Sequence, residues 1–274
     1  MPQNHIIIPG VSLGQFAKGL LHRQGNADPA GISSRGLYLR SPDDTILFLS
    51  SEKFRGPLTV NMNIKHASML EIKPTSPIFL SPTKITFPGE GIQINLENAV
   101  VWNASLPFGR LPAEISRSRL ESTIEGALRL TERNDCQGLL TSVLPGNTIQ
   151  IPDLPGFDHH LTEFLSSLEQ SKPTMGGKEL SVFLGLGPGL TPLGDDFILG
   201  VILTLNRWEQ VLIPVQGLEQ LNRDLLKDAG NKTTALSASL LSCAIEGTAD
   251  ERLLAVLDSL FSGDELSSRD LEDL

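Results

Sequence analysis

Near Leu106-Pro107 the hydrophobic period of the chain changes from two residues to about 3.6, and that switch constrains the fold more than any other feature. Upstream, Leu58, Val60, Met62 and Ile64 alternate with polar neighbours, as do Ile92, Ile94 and Leu96. Short apolar runs at Tyr38-Leu39, Ile46–Leu49 and Val100–Trp102 lie between turn signals: Ser41-Pro42-Asp43-Asp44, Arg55-Gly56-Pro57, Ser81-Pro82 and Pro88-Gly89-Glu90-Gly91. Many short strands at that spacing predict a small antiparallel barrel or sandwich over residues 1–107.

Downstream the pattern is helical. Leu120, Ile124, Ala127, Leu128 and Thr131 predict a helix over 112–133, and further helices are expected near 157–170, 194–208, 216–229 and 233–246. A last helix carries Leu253, Leu257, Leu260 and Phe261, and Thr248-Ala249-Asp250-Glu251 before it has the spacing of a capping box. The expected class is therefore α+β, with a β-rich domain at 1–107 and a mostly helical domain at 108–274. Asp264, Glu265, Asp270, Glu272 and Asp273 against one Arg269 give the chain an acidic tail.

A chain of 274 residues with 40% hydrophobic and 20% charged residues can bury two cores, so global disorder is not expected. The formal net charge of -10, without a run of Lys and Arg, argues against a nucleic-acid partner. Cys136 and Cys243 lack metal-ligand spacing, so two free thiols in a reducing cytoplasm are expected. The first residues lack the basic and long apolar regions of a signal peptide. The most apolar stretch, Leu180 to Leu205, is broken by Gly187-Pro188-Gly189, Pro192 and Asp195-Asp196, which fits a core helix rather than a membrane span.

That interrupted stretch is where chemistry is expected. Gly185, Gly187 and Gly189 leave the backbone free to adopt positive φ and approach a ligand closely. Thr191 and Pro192 have the types of an N-cap and a first helical residue, and such a helix start favours an anion. Asp195 and Asp196 follow at the mouth of an apolar helix, where two carboxylates need compensation from water, hydrogen-bond donors or a cation. They are the candidate catalytic residues and the candidate ligands of a divalent cation such as magnesium. The structural reading of the same residues is plainer: acids in a first turn complement the helix dipole, and glycines make a turn. The segment is neither a Walker loop nor a dinucleotide fingerprint.

A second block, Gly230 to Ser237, reads as a C-capping glycine leading into a fresh helix start. Gly187, Gly189, Leu190, Thr191 and Gly194 of the first block, with Lys232, Thr233 and Ser237 of the second, are the expected binding residues for a small anionic substrate. Both blocks are expected to face one cavity, with Lys232 as their cation. His159-His160 has no Cys or Glu at ligand spacing and is a weak metal candidate.

Gly185–Gly200 resembles the hallmark of the AllH-like family, which reads roughly Gly-x-Gly-Pro-Gly-Leu-Thr-Pro-Ser-Gly-Asp-Asp-Phe-Leu-x-Gly. The likeness is carried by Gly185, Gly187, Pro188, Gly189, Leu190, Thr191, Pro192, Gly194, Asp195, Asp196, Phe197 and Gly200. Leu193 departs from it where serine is usual, which removes a hydroxyl. The Thr233-Thr234 to Ser237 helix start is similar to the family's second block, and Gly56-Pro57 and Trp102 agree more loosely. The resemblance implies a cytoplasmic subunit of a carbamoyltransferase that acts on oxamate and carbamoyl phosphate in allantoin degradation, a branch of purine catabolism. It implies a multisubunit complex with two other subunits. The alternatives are a noncatalytic metabolite-binding or scaffold subunit, and a metal-dependent enzyme acting on another small molecule.

Overall fold

The computed structural model describes residues 6–66, 72, 73, 75–104, 106, 157–170, 173–208 and 217–262. The chain divides into two compact units, Met1–Ser105 with Ala249–Glu251, and Leu106–Thr248 with Arg252–Leu274.

The first unit is a barrel. Its strands are β1 (Ile6–Gly14), β2 (Gly25–Ile32), β3 (Gly36–Arg40), β4 (Ile46–Ser50), β5 (Thr59–Met62), β6 (Ile78–Leu80), β7 (Lys84–Phe87), β8 (Ile92–Asn95) and β9 (Val100–Trp102). They run in the order β5-β4-β3-β2-β6-β7-β8-β1-β9, and a β5–β1 pairing closes the first eight into a ring with β9 as an extra strand. Closure depends on the length of β1. Its Ile6–Pro9 stretch pairs with β8, Gly10–Leu13 with β5, and Ser12–Gly14 with β9. A bulge between Gly10 and Ser12 re-aims the strand between those partners.

The alternation read in the sequence sets the core of this unit. Leu37, Leu39, Leu47, Leu49, Val60, Ile85, Phe87 and Ile94 are buried. Tyr38 and Phe48, directly opposite in register, stack with centroids 4.5 Å apart. The expectation of an antiparallel barrel needs correction, because β4–β5, β1–β8 and β1–β9 are parallel. The nine-residue helix α1 (Gln15–Arg23), absent from the sequence reading, lies between β1 and β2.

The described helices of the second unit are α2 (Phe157–Glu169), α3 (Pro173–Ser181), α4 (Leu193–Arg207), α5 (Leu218–Lys232), α6 (Ala235–Ile245) and α7, which runs from Glu251 to Ser262. The helix expected over 112–133, Cys136, the acidic tail and the side chains of Leu260 and Phe261 lie outside the described residues. Helix α4 packs on α6, α2 on α3, and α3 on α5. Phe164, Leu180, Phe183, Ile198, Ile202, Leu221, Leu225 and Ala244 form the apolar centre. Arg207, at the end of α4, is buried and bidentate to Asp258 of α7 (2.6 Å for both bonds), and it also donates to the Gly247 carbonyl at 2.9 Å.

Three local expectations are corrected here. Gly230 is no C-cap, because α5 continues to Lys232 and is capped by Thr233. Thr191 is no N-cap, because Pro192 occupies that position and α4 begins at Leu193. The capping box at Thr248 does not form: α7 begins at Glu251 itself, whose carboxylate accepts from the Arg55 backbone N–H at 2.7 Å and from Arg55 Nε at 2.6 Å. Burial pushes the Cys243 thiol up, as suits an inert buried cysteine.

Candidate functional site

The glycine-rich loop between Phe183 and Leu193 is held in place by its own backbone. Gly185, Gly187 and Gly189 take φ of +76°, +107° and +104°, the left-handed region that disfavours any side chain. Gly185 is constrained twice, because a Cβ there would meet the Lys232 carbonyl oxygen at 2.1 Å. Gly194 is needed for the approach of α4, since its Cβ would lie 2.0 Å from the Phe183 carbonyl oxygen.

The two aspartates have separate environments. Asp195 is buried at 6% exposure, and both of its carboxylate oxygens are engaged. Oδ1 accepts the Gly185 N–H at 2.7 Å, and Oδ2 accepts the Thr233 hydroxyl. Asp195 therefore binds the glycine loop to the α5–α6 junction, two segments far apart in sequence. Asp196, one residue on, is exposed, and no donor among the described residues reaches its carboxylate. Partial desolvation, reinforced by the adjacent Asp195 carboxylate, pushes the Asp196 pKa up from its ordinary value to about 6.

The other expected site residues divide in the same way. Thr234 donates to the Leu190 carbonyl at 2.6 Å and accepts the Ser237 N–H at 3.1 Å, so one hydroxyl caps α6 and ties the loop to it. That cap leaves the N–H groups of Ala235 and Leu236 at the open end of α6. Ser237 is buried, and its hydroxyl has no partner among the described residues. Leu190 and Leu193 are exposed, and Thr191 is half-buried. Lys232 is not the counter-ion of the aspartates. Its ammonium donates to Ser181 Oγ at 2.9 Å and to Asp228 Oδ2 at 2.8 Å.

The start of α4 offers an anion less than its sequence suggests. The N–H of Gly194 donates to the Leu186 carbonyl at 2.9 Å, and those of Asp195 and Asp196 donate to Pro192 at 2.9 and 3.1 Å. At the aspartates, each Asp195 oxygen already accepts one hydrogen bond, and Asp196 is the carboxylate that accepts none among the described residues. Among the described residues no group of three His, Cys, Asp or Glu is placed to hold a metal ion. His160 pairs with Glu179 across α2 and α3 and sets its ring edge-on to Phe183, 6.4 Å between centroids.

The sequence reading missed Ser181 and Asp228. Asp228 was legible, since it stands four residues before Lys232 on one helix face. Ser181 carried no signal, because only the packing of α3 on α5 brings it to the lysine.

Asp195 joins the glycine-rich turn to the α5–α6 junction, and Asp196 stands open beside it. Residues 183–274 match the family described as oxamate carbamoyltransferase subunit AllH, which supports an AllH-like assignment. The matched third of the chain includes the glycine loop, both aspartates and the Lys232–Ser237 block. No curated protein and no solved structure matches the chain. No helix among the described residues is long and apolar enough to cross a membrane.

Proposed function

We propose that this chain is a subunit of a carbamoyltransferase of the oxamate type, acting in the cytoplasm with other subunits in purine and allantoin catabolism. The glycine loop and the start of α6 form its substrate-facing surface. The observation that carries this reading is the division between the aspartates. Asp195 is consumed in joining Gly185 to Thr233, which leaves Asp196 as an open acid beside the joined segments.

In the transfer, the amide nitrogen of oxamate attacks the carbonyl carbon of carbamoyl phosphate. A C–N bond forms, the bond from that carbon to the phosphate oxygen breaks, phosphate leaves, and the nitrogen gives up a proton. Asp196 is assigned that proton. A carboxyl with a pKa of about 6 is ionised at neutral pH and is a stronger base than an ordinary aspartate. The N–H groups of Ala235 and Leu236 and the Lys232 ammonium are assigned to the departing anion, since such a leaving group needs fixed donors. Asp195 and Thr233 are positioning residues, because the Thr233 hydroxyl donates to Asp195 and Asp195 also accepts the Gly185 N–H. Asp196 is the residue of this pair that would hold a divalent cation, which would polarise the phosphate or carbonyl oxygen of the substrate.

The test is reconstitution. The other subunits, mixed with this chain, should release phosphate from carbamoyl phosphate in the presence of oxamate, and omission of the chain should abolish release. Phosphate release that does not depend on the chain would contradict the reading.

A further inference from the structure

We infer that Ser181 and Asp228 are positioning residues that hold Lys232 as a pre-oriented anchor for a phosphate or carboxylate. The inference deepens the proposed function, on which it rests. Lysine is among the side chains richest in rotamers, and fixing them on binding costs affinity. Here that cost is met before any ligand arrives. Ser181 Oγ and Asp228 Oδ2 each hold one of the three ammonium hydrogens, at 2.9 and 2.8 Å. Ser181 is buried at 8% exposure, so the hydroxyl end of the clamp is rigid. The Lys232 side chain stays 45% exposed with both contacts made, which leaves it open to a further partner. Lys232 is also fixed at its backbone, since its carbonyl oxygen lies against Gly185, the first glycine of the loop.

The clamp has a second consequence. The Lys232 ammonium, with the Ser181 hydroxyl behind it, holds the Asp228 carboxyl below its usual range, so Asp228 stays ionised and offsets much of the lysine's charge. An anchor so neutralised draws anions weakly from a distance and selects them by the direction of one N–H. Its ligand is a small anion delivered to contact, such as a phosphate leaving group, rather than a polyanion steered by a broad positive field. Ser181 precedes the region matched to the family, so this clamp lies partly outside it.

The experiment measures the affinity of the full chain for inorganic phosphate and for carbamoyl phosphate by calorimetric titration. The variants are Ser181→Ala, Lys232→Met and the double variant, each with its melting temperature. Loss of one charge-assisted hydrogen bond to the anion should weaken binding by Lys232→Met about tenfold or more. Ser181→Ala should weaken it about threefold to tenfold by releasing the lysine. The double variant should bind no worse than Lys232→Met alone, because Ser181 acts only through the lysine. Ser181→Thr, which keeps the hydroxyl, should restore most of the loss. A purely structural serine would lower the melting temperature and leave affinity unchanged, which would overturn the inference while leaving Lys232 a ligand. Unchanged affinity in Lys232→Met, or no anion binding by the wild-type chain, would overturn the anion-binding reading itself.

Discussion

The hydroxyl of Thr233 donates to the carboxylate of Asp195, 38 residues earlier, and the same carboxylate accepts the Gly185 N–H at 2.7 Å. The contact makes one unit of a loop and a helix junction that the sequence presents as separate blocks. It also gives Asp195 a role in the fold, whereas Asp196 makes no such bond among the described residues.

Asp195→Ala should destabilise the chain by about 2–3 kcal/mol, because it strips the partner from a backbone N–H and from a hydroxyl in a largely buried setting. Thr233→Val should cost about 1 kcal/mol, since one acceptor bond to Asp195 survives. Urea denaturation measures both. A melt of Asp195→Ala indistinguishable from wild type would return that carboxylate to the list of purely chemical groups.

Asp196→Asn should behave in the opposite sense. Its folded-state pKa of about 6 lies above that of an unfolded aspartate, near 3.9. The folded chain therefore holds the proton more tightly, and its stability falls as pH rises from about 4 to about 6. Screening at an exposed site limits the effect to roughly 1 kcal/mol. At pH 7.5 Asp196→Asn should then match or slightly exceed wild type in stability, and at pH 4 the two should coincide. Helix-dipole stabilisation alone predicts the reverse, a loss of about 0.3–1 kcal/mol at pH 7.5, so a pH series of melts decides between the two.

Gly185→Ala should cost more than about 2 kcal/mol, because it combines a left-handed backbone with a contact on the Lys232 carbonyl that has no room to yield. Gly230→Ala is the control. It lies inside α5 with nothing within 4 Å of the added carbon, so it should stabilise by about 0.5–1 kcal/mol. The two melting shifts should have opposite signs.

Asp258→Asn should cost about 3 kcal/mol or more, because it leaves the Arg207 guanidinium, at 4% side-chain exposure, without its bidentate partner. Chemical denaturation of the full chain measures it. An effect below about 0.5 kcal/mol, typical of a surface pair, would show that solvent reaches the arginine.

Much of the architecture was legible because period and burial are local. The alternating Leu58, Val60 and Met62 are all buried, and Thr234 caps α6 where hydroxyl residues follow a helix. What failed was long-range. No local signal distinguishes the parallel β1–β8 pairing from an antiparallel one, because alternation is the same in both. Gly230 misled because a glycine near a helix end has the composition of a C-cap, whereas the helix runs through it to Lys232 and is capped by Thr233. In the motif the positive-φ glycines could be anticipated from residue type. The unequal fates of Asp195 and Asp196 could not, since they depend on Thr233 arriving from another helix. Thr191 as N-cap failed for a steric reason: Pro192, extended at ψ 145°, itself occupies the cap position.

The central claim is that Asp196 takes the proton in carbamoyl transfer while Asp195 builds the site. Its most direct test is kcat of the reconstituted enzyme, assayed with carbamoyl phosphate and oxamate, for wild type and Asp196→Asn across pH 5 to 8. Loss of a general base predicts a fall in kcat of about 100-fold or more with an unchanged melting temperature. The wild-type rate should also rise through pH 6, a step that the variant lacks. An Asp196→Asn enzyme that turns over at the wild-type rate, with the same pH profile, would contradict the claim.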